Sequence, residues 1–409
     1  MTSPCLASLD LPPATRPAAD AAFASLRELA PVLPVQLPEG LTAWVITRYG
    51  LGRAALTDPR FIKDLRKVPK TEHSPRGRRY AEDVFAVEGR HMLNSDPPDH
   101  ARLRRVVAKH FSANAVEQQR REIQSIATNL AATLSSELVT SAQVDLMSTF
   151  ARPLPEQVLG LILGLPAHNL PMATSLTRAL GHRENPSTPA MRTTFNQLVD
   201  MIHDLIRDPD SLAPTSLLAS LCNAVADGGL SRRESVSTCL MLLGAGISST
   251  AIAIGHGAAM LTTHNALLRQ LVNGGRASEV VEELLRHHPP FSFSPWRYAR
   301  EDVTIEGVTI PAGAVVFVLI AAVNRDPLLY ERPEELLISR NRVAHSLTFG
   351  YGSHFCVGAH LARAELEIGL RAIFEAIPTL RLASSYDSVQ WHGLLFDRAP
   401  VSLPVAIGE

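Results

Sequence analysis

Residues 349–358 form a loop whose residue types favour metal-ligand chemistry. The loop reads Phe-Gly-Tyr-Gly-Ser-His-Phe-Cys-Val-Gly, and a helical stretch follows it directly. A cysteine binds a metal as the thiolate, and the unpaired backbone N–H groups at a helix N-terminus stabilise that negative charge. The glycines allow the backbone to pass close to the sulfur and to a bulky bound group. The loop therefore predicts that Cys356 is a metal ligand.

Two other interpretations of this loop remain open from the residues alone. A lone cysteine is most often a small buried apolar residue. Glycine-rich turns before helices also bind phosphate, but the Gly-Lys-Ser/Thr ending that such a loop requires is missing here. The whole pattern is more specific than any one of its parts, and it favours the thiolate.

Charged residues elsewhere recur at spacings that bring them onto one helical face. Glu283-Leu-Leu-Arg286 lies about seventy residues before the cysteine and has the i,i+3 spacing of an ion pair. Glu117-Gln-Gln-Arg120 has the same spacing, so a solvated surface pair is the alternative interpretation. His100 and Arg104 also share a helical face, within Asp96-Pro-Pro-Asp-His-Ala-Arg-Leu-Arg.

Together these motifs resemble the cytochrome P450 family, in its soluble bacterial members, over about residues 43–404. Asn324-Arg-Asp-Pro327 and Arg297-Tyr-Ala-Arg-Glu-Asp302 match two further family segments. The resemblance implies a mainly α fold with a minor β region, and haem b between a long central helix and the helix that follows the cysteine loop. It also implies that Arg340 joins Glu283 and Arg286 in a buried charge network that holds this loop.

The resemblance assigns a set of residues to the haem. Cys356 is the iron ligand, and Phe349 lies against it and excludes water. The remaining haem contacts are Gly350 and Gly358 in the loop, and His100, Arg104, Arg297 and His354, which would bind the two haem carboxylates.

The long uncharged stretch 235–268 departs from the family pattern. The family carries an acid and then a threonine beside the oxygen site, and here Ser248 and Ser249 occupy those positions, followed by Thr250. These three residues and Cys356 are the predicted catalytic residues. A hydroxyl relays protons but is a poorer proton reservoir at neutral pH than a carboxylate. Net oxygen insertion is favoured as the family default, and radical coupling of the substrate is the alternative.

By the same resemblance, four segments line the substrate pocket, and two of them are rich in aromatic residues although such residues make up only 5% of the chain. They predict a flat, apolar and partly aromatic ligand that a serine hydroxyl can bind. Several of these rings are equally well explained as core. The basic stretch 63–79 is interpreted as a solvated loop. The predicted substrate contacts are Val87, Met92, Leu93, Leu243, Ala245, Phe291, Ser292, Ser294, Trp391 and Leu395.

The elements that must position these residues are mostly helices. Apolar periodicity predicts helices near 115–138, 153–164, 190–207, 235–268, 278–287 and 357–377, and strands at 43–47, 303–305, 308–310 and 315–320. Stretch 235–268 is long enough to span a bilayer, but its Gly-Ala-Gly centre and the lack of flanking aromatic or basic clusters favour a buried central helix. We expect one domain over 21–409 after a disordered tail over 1–20.

Charge and cysteine usage limit the partners and the compartment. The net charge of -1 gives no electrostatic reason to expect nucleic acid. Four cysteines that lie far apart argue against a disulfide framework or a structural zinc site and fit a reducing cytoplasm. The N-terminal stretch lacks the apolar core of a signal peptide or a membrane anchor.

The resemblance implies a monomer that receives electrons from a separate ferredoxin and ferredoxin reductase, since the chain has no flavin or iron–sulfur motif. Arg102, Arg105 and Lys109 are the candidate docking cations, unless they form an ordinary solvated face. The leading function is a monooxygenase of bacterial natural-product biosynthesis. The alternatives are an oxidase that couples indole or phenol substrates, and a non-catalytic haem-binding or gas-sensing protein.

Overall fold

A computed structural model of the chain describes residues 7–8, 16–36, 42–75, 89–181, 189–340, 346–392 and 399–408. Most of these residues are helical, which confirms the predicted mainly α fold with a minor β region. The helices are α1 Arg16–Leu29, α2 Tyr49–Ala55, α3 Asp99–Ala108, α4 Ala113–Gln118, α5 Arg120–Thr140, α6 Pro153–Leu163, α7 Leu170–Gly181, α8 Pro189–Arg207, α9 Leu217–Ala226, α10 Arg232–Leu261, α11 Asn265–Val272, α12 Ala277–His287, α13 Ile320–Val323 and α14 Ala359–Ala376. The strands are β1 Ala7–Ser8, β2 Val32–Gln36, β3 Thr42–Ile46, β4 Phe61–Ile62, β5 Val144–Asp145, β6 Arg297–Ala299, β7 Val303–Ile305, β8 Val308–Ile310, β9 Val315–Val318, β10 Leu380–Leu382, β11 Trp391–His392, β12 Ala399–Pro400 and β13 Pro404–Ile407.

Helix α10 runs through the main hydrophobic core and packs against α6, α7, α8, α9 and α14. It begins at a capping box, in which the Ser231 hydroxyl accepts from the Glu234 amide and the Glu234 carboxylate accepts from the Ser231 amide. The helix is long and apolar enough to cross a membrane, but most of its apolar part is buried inside the protein. This burial confirms the prediction of a central helix and explains its uncharged composition.

The prediction of one helix over 235–268 is wrong at its C-terminal end, since α10 stops at Leu261 and α11 begins at Asn265. Local side-chain bonds explain the break. The hydroxyls of Thr262 and Thr263 donate to the carbonyls of Ala259 and Met260, at 2.7 and 3.1 Å. Such bonds satisfy the last carbonyls of a helix without another helical turn.

A six-stranded sheet in the order β1-β2-β3-β9-β6-β4 forms the second part of the fold. Strands β3 and β9 pair in parallel, and β2 pairs with β3 antiparallel. The four strands predicted from the sequence are all present, and β7 and β8 have the predicted bounds. Strands β2 and β6 were not predicted, and β6 carries Arg297, one of the predicted haem-carboxylate residues.

The predicted disordered tail over 1–20 is wrong for residues 16–20, which begin α1, and for residues 7–8, which pair with β2. The physical reason is an apolar face on α1. Ala19 and Phe23 are buried against Phe293 and Phe317 of the sheet region. Arg27, on the last turn of α1, donates to the Ala322 carbonyl at 3.3 Å.

A buried ion pair lies within the C-terminal part of α12 and binds the segment that leads towards the cysteine loop. Arg286 and Glu283 make two hydrogen bonds of 2.8 Å, and their side chains are 0% and 1% exposed. Arg340 donates to the same Glu283 carboxylate at 2.9 Å. The predicted charge network is confirmed, and a solvated surface pair is the wrong interpretation here. Arg120, which has the same spacing from Glu117, pairs with Glu367 instead.

The carbonyl and side chain of Asn324 connect this pair to the loop. Arg286 donates to the Asn324 carbonyl at 3.0 Å, and the Asn324 side chain accepts from the Leu347 amide at 2.8 Å and donates to the Thr348 hydroxyl at 2.9 Å. Thr348 in turn donates to the Leu285 carbonyl at 2.9 Å. The start of the cysteine loop is therefore anchored to α12 by consecutive hydrogen bonds.

Replacing Arg286 by Met should lower the free energy of unfolding by about 3–5 kcal/mol, because Glu283 stays buried without its main counter-charge. Urea unfolding followed by circular dichroism measures this loss. The matched control is Arg371→Met, which removes an exposed pair with Glu375 at 3.2 Å and should cost at most about 1 kcal/mol. Equal losses in the two variants would contradict a special role for the buried pair.

Candidate functional site

The backbone of the cysteine loop folds back on itself before α14. The Cys356 amide donates to the Phe349 carbonyl at 2.9 Å, and the Phe355 amide donates to the Gly352 carbonyl at 3.0 Å. Gly350 and Gly352 have φ angles of 72° and 77°, a region that favours glycine. The loop conformation therefore requires these two glycines.

Gly358 shows no comparable constraint from the protein. A Cβ there would lie 3.9 Å from the Cys356 sulfur, which is an ordinary contact. The sulfur itself therefore does not require a glycine at position 358, whereas the predicted clearance for the bound group stays a prediction. The Gly358 backbone also makes a hydrogen bond to Cys356. That bond lowers the pKa of the Cys356 thiol.

The electrostatic balance at Cys356 has two opposing parts. Protein atoms surround the sulfur densely although the residue remains accessible from one side, and this burial raises the pKa of the thiol. The Gly358 amide, Arg104 and Arg363 act in the opposite direction, but burial dominates. The chain alone therefore favours the thiol, and a bound metal cation is the group that converts such a thiol into a thiolate.

Four predicted haem-carboxylate residues come together from three separate elements. His100 and Arg104 lie on α3, His354 lies in the loop, and Arg297 begins β6. The rings of His100 and His354 are 4.1 Å apart between centroids. Burial lowers the pKa of both histidines and of Arg104, and it lowers the pKa of Arg297 to about 10. Each of these groups is thus destabilised as a cation by the protein around it.

Two buried nitrogens in this cluster fit an anionic ligand. His100 Nε2 and Arg297 Nε have no hydrogen-bond partner within the described part of the chain. The other Arg297 nitrogens donate to the Leu56 carbonyl at 3.0 Å and the Phe61 carbonyl at 3.4 Å. A buried donor without an acceptor costs about 1–3 kcal/mol. The residues therefore fit a group that brings carboxylates to this position, as haem b does.

Lys63 was missed as a member of this cluster, and its interpretation as part of a solvated loop is wrong. Its side chain is 2% exposed, and Nζ donates to the Trp296 carbonyl at 2.6 Å. Its positive charge contributes to the lowered pKa of His100 and His354. The signal in the sequence was the apolar pair just before it, which forms β4 and carries the lysine into the interior.

The middle of α10 is open on one side although the residues on either side of it are buried. Ala245 is exposed, and the Ser249 hydroxyl, one turn later, donates to the Ala245 carbonyl at 2.9 Å. Ser248 is partly accessible. Thr250 is buried, and its hydroxyl donates to the Gly246 carbonyl at 3.0 Å. Among the three predicted hydroxyl residues, Ser248 and Ser249 are therefore placed to meet a bound molecule.

Several predicted substrate contacts instead belong to the core. Met92 and Leu243 lie in the main hydrophobic cluster. Ser294 is buried, and its hydroxyl accepts from the Val318 amide at 3.0 Å, so it completes the sheet at β9. Trp391 is buried and stacks on His256 with ring centroids 4.9 Å apart. Packing within the protein explains these four side chains without a ligand.

The other predicted contacts have different outcomes. Leu93 and Phe291 are partly accessible, as a lining residue requires, and Ser292 is buried. Val87 and Leu395 lie outside the described residues.

The three predicted docking cations differ in their surroundings. Arg102 pairs with Glu234 at 2.6 Å and with Asp99 at 3.1 Å, which ties α3 to the start of α10. Arg105 and Lys109 are exposed. The ion pairs of Arg102 make it a structural residue, and the other two remain candidates for a docking surface.

Comparison with known proteins identifies one family. The family model described as Cytochrome P450 matches residues 277–377, which include the buried ion pair and the cysteine loop. The 6-deoxyerythronolide B hydroxylase of Saccharopolyspora erythraea is 35% identical over 396 residues, which are 94% of this chain and 95% of that protein. The chain belongs to the cytochrome P450 family. Its cofactor is therefore haem b, and it is an oxidoreductase.

Solved P450 structures share the fold over nearly the whole chain. The bacillaene polyketide synthase P450 PksS of Bacillus subtilis has a TM-score of 0.84 and 31% identity, and covers 95% of this chain and 97% of its own. The P450 enzyme CxnD, for C–S bond formation in chuangxinmycin biosynthesis, has a TM-score of 0.86 and 26% identity, and covers 100% and 99%. Both of these proteins are named for natural-product pathways, and CxnD is the one of the two that is named for forming a C–S bond.

Replacing Arg297 by Gln should accelerate haem loss from this P450 about tenfold or more, since a charge-assisted hydrogen bond contributes about 1.5–3 kcal/mol. The measurement is the rate of haem transfer to excess apomyoglobin. Arg300→Gln is the matched control, because Arg300 directly follows β6 and is exposed. Similar rates of haem loss in the two variants would exclude Arg297 as a carboxylate ligand.

Proposed function

We propose that this P450 is a ferredoxin-dependent monooxygenase that inserts one oxygen atom of O2 into a small, apolar and partly aromatic molecule of bacterial natural-product biosynthesis. The observation that carries the proposal is the open middle of α10, where the accessible Ala245 and the Ser249 hydroxyl interrupt an otherwise buried helix. Such an opening in the central helix is where a substrate and a proton donor can meet.

The residues of the chain perform separate tasks in this reaction. Haem b, when bound through Cys356, supplies the activation of O2. His100, Arg104 and Arg297 hold its carboxylates and so fix its orientation. Ser249 Oγ relays a proton by releasing its bond to the Ala245 carbonyl when a water molecule or the substrate offers another acceptor. A hydroxyl transfers protons without storing them, so ordered water must resupply it.

The substrate class follows from the accessible lining. Leu93, Ala245 and Phe291 are apolar, and all three have accessible surface. Burial of apolar surface provides most of the affinity at such a site, with few polar groups that fix orientation. The chain is also similar to the 6-deoxyerythronolide B hydroxylase, which supports hydroxylation of a natural product.

Electron supply is proposed to come from a separate ferredoxin and its reductase in the cytoplasm, to a monomeric P450. Arg105 is exposed on α3, and the exposed Lys109 directly follows this helix. Arg104 of α3 donates to the Phe355 carbonyl beside the cysteine at 2.7 Å. An acidic protein bound to these cations would lie close to the ligand loop. Complementary charge of this kind accelerates association more than it strengthens binding.

Oxidative coupling is the second candidate function, and the Ser248 position favours it. With serine in place of an acid, the chain has no carboxylate at this point of α10. The similar protein CxnD forms a C–S bond, which shows that this fold also hosts coupling chemistry. Coupling joins two substrate atoms, with loss of their hydrogens, and adds no oxygen atom from O2 to the product.

Turnover under 18O2 distinguishes the two functions. A library of macrolactones, terpenoids and indole derivatives is first screened for a shift of the haem spectrum, and compounds that bind are then incubated with a surrogate ferredoxin system. Monooxygenation should add one 18O atom to the product, detected by mass spectrometry. A product without the label would reject insertion in favour of coupling.

Replacing Ser249 by Ala should divert electrons to peroxide, with about a tenfold or larger loss of product per NADPH, because general acid–base steps contribute about 10²–10⁴-fold. Ser249→Thr keeps the hydroxyl and should retain most of the coupling. Peroxide yield and product yield are measured together in each variant. Unchanged coupling in the Ala variant would remove Ser249 from the proton path.

A further inference from the structure

An ion pair between α12 and α14 lies against the aromatic residue of the cysteine loop. Arg363, near the start of α14, places its guanidinium carbon 4.3 Å from the centre of the Phe349 ring. The same guanidinium binds Glu282 of α12 through two bonds, from Nε to Oε1 and from Nη2 to Oε2, the second at 3.3 Å. A third bond runs from Nη1 to the Ala359 carbonyl at 3.4 Å.

This arrangement holds the cation in one place. A planar guanidinium that binds a carboxylate with two nitrogens and stacks on a ring face has little freedom left. The side chains of Arg363 and Glu282 are 32% and 19% exposed, so solvent screens them only in part. Glu282 immediately precedes Glu283 of the buried network, so its backbone is fixed as well.

The cysteine loop places the charge of Arg363 close to the Cys356 sulfur. Phe349, on which it stacks, accepts a hydrogen bond from the Cys356 amide at 2.9 Å. Glu282 compensates that charge, so the intact pair presents little net charge to the ligand loop.

We propose that the Glu282–Arg363 pair sets the reduction potential of the haem by holding a compensated cation on the face of Phe349 next to Cys356. The inference rests on the proposed ligation of haem by Cys356. Reduction adds one electron to the haem–thiolate unit. An uncompensated positive charge nearby therefore favours reduction, and an uncompensated negative charge opposes it.

Two single variants of opposite sign and their combination test the proposal. Glu282→Gln leaves Arg363 uncompensated and should raise the equilibrium constant for reduction about three- to tenfold, where tenfold is about 59 mV for a one-electron couple. Arg363→Gln leaves Glu282 uncompensated and should lower the constant by a similar factor. The double variant removes both charges and should return close to the wild-type potential.

The measurement is a redox titration of the purified holoenzymes with mediator dyes and without a protein partner, so that docking does not contribute. Arg371→Gln and Glu375→Gln are the matched controls, since they break a pair on the same helix α14, farther from the loop, and should leave the potential unchanged. Arg363→Lys keeps the charge and should stay closer to wild type than Arg363→Gln.

The outcomes separate this inference from the ligation that it requires. A wild-type carbonyl complex without the red-shifted absorption of a thiolate ligand overturns both. A thiolate-type spectrum overturns the inference alone if the two single variants leave the potential unchanged, or shift it in the same direction without restoration in the double variant. Loss of packing gives that second pattern, because packing does not depend on the sign of the charge.

Discussion

The position of the cysteine loop depends on one buried ion pair, Glu283–Arg286. Removing both charges from water costs several kcal/mol per ion, so the pair persists only because its remaining bonds are satisfied. Arg286 donates its remaining hydrogen bonds to the carbonyls of Asn324, Pro333 and Glu335. Each carbonyl belongs to a segment that lacks regular secondary structure to fix it. The guanidinium has five N–H donors, and its hydrogen bonds fix the position of these segments before the loop.

The residues predicted to bind the haem carboxylates differ from this ion pair, because the part of the protein that the structure describes places no negative charge that fully balances their positive charges. The buried histidines and arginines around His100 and Arg297 are all disfavoured as cations, and two of their nitrogens lack acceptors in the described structure. A ligand that supplies negative charge and acceptors removes these costs when it binds. Binding of such a group to the folded chain then adds to its stability. The buried Glu283–Arg286 network has its hydrogen-bond partners within the protein, whereas the carboxylate-binding cluster needs acceptors that the cofactor would supply.

The features that depend on the spacing of nearby residues could be predicted from the sequence. The helices follow apolar periodicity, and the loop with its glycines, the Glu283–Arg286 spacing and the α3 histidine–arginine pair are short-range patterns. The misses arise from contacts between distant segments. Lys63 is buried where its amide donates to Asp96 and its side chain donates to the Trp296 carbonyl. Trp391 and Ser294 are core residues because His256 and Val318 lie against them. A pocket assignment by segment does not specify which side chain of the segment faces inward.

The serines of α10 alter the balance between stability and proton supply. A carboxylate at Ser248 would place a charge in the middle of a helix that is buried on most sides, and that burial carries a desolvation cost. Serine avoids this cost, and Ser249 satisfies its hydroxyl within its own helix turn at the Ala245 carbonyl. The same bond makes the hydroxyl a weaker proton donor, since it must be broken before transfer. Protons then have to come from ordered water or from polar groups of the substrate itself. A substrate that supplies such a group would be oxidised with less peroxide leakage than an entirely apolar substrate of the same shape. The polar groups of the substrate, together with the serines of the helix, therefore determine which fraction of the electrons yields product in this P450.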